Sequence, residues 1–163
     1  MARNYFVNGN TLVTADGSEL GIAESSVSIT INPKHLEIKV STFGPDVPPE
    51  VQAMLADANI GMVLVNFDIA VLNTCIRKSM AAATLGTMQI AGTLMGANSH
   101  FVSLRIASPT GGVPWTFPSC YLTGSPITWP LGNERSLVSL NFKAIPYVAD
   151  PASSANAVLF TNT

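Results

Sequence analysis

The sequence predicts a mainly β protein, an antiparallel β-sandwich or barrel flanked by one α-helix over about 69–82. Three observations predict it: several short stretches alternate strictly between apolar and polar residues, one stretch repeats at helical spacing, and prolines cluster between the alternating stretches. In Val27-Ser28-Ile29-Thr30-Ile31 the three aliphatic residues share one face and the hydroxyls the other, as in a half-buried strand. Leu36-Glu37-Ile38-Lys39-Val40 repeats the pattern with charges outward, and Asn32-Pro33-Lys34-His35 between them reads as the turn of a hairpin.

Pro48-Pro49-Glu50 reads as the start of a short helix, with Val51, Met54, Leu55 and Ala58 on one face and proline tolerated in the first turn. Ile60 to Phe67 is apolar on both faces, which marks a central strand. Asp68 then stands as an N-cap, and Ile69, Leu72, Ile76 and Met80 recur at helical spacing, with Leu72 and Ile76 expected against the sheet. Val102, Leu104 and Ile106 define a further strand, as do Val138, Leu140 and Phe142. From Ile106 to Asn133 no residue carries a formal charge, and Pro109, Pro114, Pro118, Pro126 and Pro130 predict turns and edge strand around the short segment Ser119–Thr123. The sequence thus divides into one β-rich domain over 1–148 and a C-terminal arm over 149–163, where only Val158-Leu159-Phe160 is β-capable.

Charge is the informative deficit. Eight basic and ten acidic residues make 11% of 163, where globular proteins carry about 25%, while 47% of residues are hydrophobic. A monomer of this mass exposes roughly 7,800 Å², so each charge serves about 430 Å², which points to a surface covered with Ser, Thr, Asn and Gly or buried against other copies, a mixture leaning on the second. A net charge of −2 excludes a basic nucleic-acid-binding surface. The first nine residues lack a continuous apolar run and do not read as a secretory signal. The uncharged stretch between Lys78 and Arg105 is interrupted by Gly86, Gln89, Gly92, Gly96, Asn98, Ser99 and His100, which argues against a membrane span.

Candidate chemistry is thin. Cys75 and Cys120 have no CxxC or Cys/His company and are expected as two reduced, buried thiols. His35 and His100 lie far apart, and neither Ser119 nor Cys120 stands in a nucleophile elbow. Asp46, Glu50, Asp57 and Asp68 contain no D-x-D-x-D-G loop, with Asp57 reading as a loop acid and Asp68 as a helix cap. Gly111-Gly112 lacks the lysine and following helix of a phosphate loop. Trp115 and Phe117, with Tyr121 and Trp129, read as a sugar-stacking platform, a protein interface or core anchors. No catalytic, cofactor-binding or metal-ligating residue is expected.

Tyr5-Phe6-Val7-Asn8-Gly9, Gly17-Ser18-Glu19-Leu20-Gly21 and the Val27–Ile31 strand resemble the front of tailed-bacteriophage virion structural proteins. The single helix after Phe67, and Pro130-Leu131-Gly132-Asn133-Glu134-Arg135 before a strand ending Ala144-Ile145-Pro146-Tyr147, are similar to tail tube proteins and their relatives. The likeness is one of order and texture over nearly the whole chain. It implies a virion protein assembled in the host cytoplasm into stacked, hexameric rings, contacting other virion proteins and passing DNA without reading its sequence. Neck, terminator, baseplate and decoration proteins share that fold or composition, and an intracellular carbohydrate-binding β-sandwich is the rival outside the virion. The expected subunit contacts are Phe43, Pro45 and Val47 in one loop, Trp115 and Phe117 in another, and Val158, Leu159 and Phe160 in an arm that needs a partner surface.

Overall fold

The computed structural model describes residues 11–24, 26–38, 50–80, 100–107, 112–123, 127, 137–146 and 158–162. In chain order they form β1 (Thr11–Ala15), β2 (Ser18–Ala23), β3 (Ser28–Ile38), β4 (Glu50–Phe67), α1 (Ile69–Ser79), β5 (Val102–Ala107), β6 (Trp115–Leu122), β7 (Val138–Ala144) and β8 (Thr161–Asn162). All the pairings are antiparallel, in the order β2-β1-β5-β6-β7-β4, and β2 pairs back onto β4. The result is a closed six-stranded barrel with flanking strands and one helix. Closure removes the open edges that a sheet of this size would otherwise expose.

The barrel is filled. Val13, Leu20, Ile60, Leu64, Leu104, Phe117, Leu140 and Phe142 are all at most 1% exposed and form one core cluster with Ala15, Ala23, Met62, Val102 and Val138. In β7 the alternation Val138, Leu140, Phe142, Ala144 inward and Ser139, Asn141 outward follows the strand period predicted from the sequence. The β2–β4 seam is tight at Gly21, where a Cβ would sit against the Asn66 carbonyl oxygen and 2.9 Å from Phe67 Cα. A side chain there would force the seam apart.

Two strands run straight through prolines expected to end them. Pro33 does not turn the chain, so the 28–31 and 36–38 stretches are one strand, β3, rather than a hairpin. It stands where the β3–β4 register shifts between Asn32 and Lys34, an interruption that spares the ladder a missing donor. Pro118 lies within β6 at a second shift, opposite Val102 to Leu104, so β6 is an interior strand that bulges, not an edge. The short helix expected from Pro48 is also corrected: Glu50 to Ala58 is strand, continuous with the central strand, because β3 pairs along it from Glu50 to Gly61.

The helix is where the spacing predicts it, with Asp68 as N-cap accepting from Ala70 N at 2.7 Å and Val71 N at 3.2 Å. It packs on β2, β5 and β6. Leu72 and Cys75 are its buried residues, Ile76 is half-buried against the core, and Ile69 and Met80 are 61% and 51% exposed. Lys78 Nζ in its last turn donates to Asp16 Oδ2 at 2.6 Å, and Asp16 Oδ1 accepts from Ser103 N at 2.9 Å. Asp16 (φ 51°) and Gly17 (φ 80°) make the two-residue turn between β1 and β2, so this turn, β5 and the helix end are held together.

Candidate assembly surface

The long strand β4 has two halves with different surroundings. Residues 58–64 pair with β7, and 64–67 meet β2, inside the barrel wall. Residues 50–57 run on past the end of β7 and, among the described residues, pair only with β3, making a two-stranded ribbon of 32–38 against 50–57. Ile31 at its root, and Leu36 and Met54 along it, are 38%, 47% and 55% exposed. These large apolar side chains, on a ribbon that pairs with nothing else among the described residues, are exposed surface.

At the ribbon root, Asp57 is 7% exposed and takes Lys34 Nζ at 2.6 Å, Asn32 Nδ2 at 2.9 Å and Lys143 Nζ at 3.3 Å. Lys34 and Asn32 belong to β3 and Lys143 to β7, so one carboxylate ties the ribbon to the barrel. The hydrogen bonds from Lys34 and Asn32, more than the nearby Lys143 charge, hold the Asp57 carboxyl well below the usual carboxylate range against the opposing effect of burial. Asp57 is therefore a structural clamp in a strand, not the loop acid the sequence suggested.

The expected contact residues fall into three groups. Phe43, Pro45 and Val47 lie outside the described residues. Phe117 is fully buried inside its own barrel and its side chain reaches no neighbour, a correction that follows from the inward side of the β6 bulge. Trp115 is half-buried, stacked on Phe160 at 4.9 Å between ring centroids and 6.3 Å from Phe117. Leu159 and Phe160 pack on the same core, and β8 pairs with Trp115 and Thr116 of β6. The end of the arm thus covers its own barrel rather than waiting for another surface, because β7 pairs with only 120–122 of β6 and leaves 115–116 open on that side. Val158 alone of the three is exposed, at 41%. Trp129 lies outside the described residues, and Tyr121 is half-buried with its ring 6.4 Å from Phe101.

Cys75 and Cys120 are free and buried, as expected, and burial pushes both thiols up to about 12, which leaves them unreactive. His35 is exposed on β3, while His100 has a buried Nδ1 without a hydrogen-bond partner among the described residues. Among the described residues no three His, Cys, Asp or Glu side chains gather as a metal site, and no helix is long and apolar enough to cross a membrane. The β1–β2 hairpin went unread in the sequence, although Asp16-Gly17 between alternating stretches signals such a turn. The exposed ribbon was masked by the proline, which imitates a turn.

No protein-family pattern matches this chain, and neither does any curated protein sequence.

Proposed function

We propose that the chain is a non-enzymatic structural protein that assembles with copies of itself into rings, as the tail tube of a tailed bacteriophage. The observation that carries the proposal is the ribbon: a two-stranded extension, tied to the barrel at its root by Asp57, bearing exposed Ile31, Leu36 and Met54 on a chain with only 11% charged residues. Apolar extensions of that kind gain stability when a neighbour covers them. Because the barrel interior is filled with side chains, a DNA conduit would be the hole enclosed by a ring of subunits, not a passage through one. The net charge of −2 suits such a hole, since a basic wall would bind phosphates and impede passage. The stacking of Trp115 on Phe160 weighs against the sugar-binding rival, which needs an open aromatic face.

The test is negative-stain microscopy of the purified chain at high concentration beside sedimentation velocity. Rings or tubes are expected. Small discrete particles would favour a decoration protein, and a compact monomer at every concentration would refute assembly.

A further inference from the structure

We draw no further inference here: the strongest candidate, the exposed apolar surface that Leu36 and Met54 form on the ribbon of β3 and β4, carries nothing beyond the assembly already proposed, because nothing in the structure shows what covers it.

Discussion

Substituting Asp57 tests whether the ribbon is clamped as described. Asp57→Asn keeps the size of the side chain and an oxygen able to accept from Asn32 Nδ2, but removes the charge facing Lys34 and Lys143. Both ammonium groups can return to water, their side chains being 55% and 33% exposed, so each pair contributes at most about 1 kcal/mol. Weakening of the Asn32 hydrogen bond, from charged to neutral acceptor, adds about 0.5–1 kcal/mol. The sum is about 0.5–3 kcal/mol, or a fall of roughly 1–12 °C in Tm for a chain of this length. Acid gives a second readout. The folded carboxyl lies below its unfolded value near 3.9, so its contribution is complete above about pH 4 and declines as pH falls toward the folded pKa. The native chain should therefore lead Asp57→Asn in thermal melts at pH 7, and the lead should narrow between pH 4 and pH 2. Equal melting temperatures at pH 7, or a lead that widens in acid, would refute the clamp.

Leu72→Ala should cost about 2–5 kcal/mol in denaturant unfolding and Ile69→Ala under about 0.5, since only the first leaves a cavity; equal effects would mean the helix is turned the other way. Phe160→Ala removes one half of the Trp115 stack and should destabilise the folded subunit by about 1–3 kcal/mol, with Val158→Ala near neutral; an unchanged Tm for Phe160→Ala would mean the arm does not support its own barrel. Neither Cys75 nor Cys120 should react with a thiol reagent at pH 8 until denaturant is added, when both should; rapid labelling of the native chain would contradict their burial.

Alternation and helical spacing are local properties of the chain, and they were legible wherever one face is buried and the other wet. That condition holds for β5, β7 and α1, and the N-cap at Asp68 is equally local because its partners are two and three residues away. The class of fold, mainly β with one helix, follows from the same residues. Long-range pairing decided the rest. Pro33 and Pro118 have the same local preference in a turn as in a bulge, and only the strands lying opposite them, β4 and β5, determine that the chain continues straight. Asp57 became a clamp because residues 23 and 86 positions away, Lys34 and Lys143, arrive on either side of it. Phe117 and Phe160 read alike as interface aromatics, yet the barrel encloses one and lays the other over Trp115, since burial depends on which strands close around a residue and not on its neighbours in sequence.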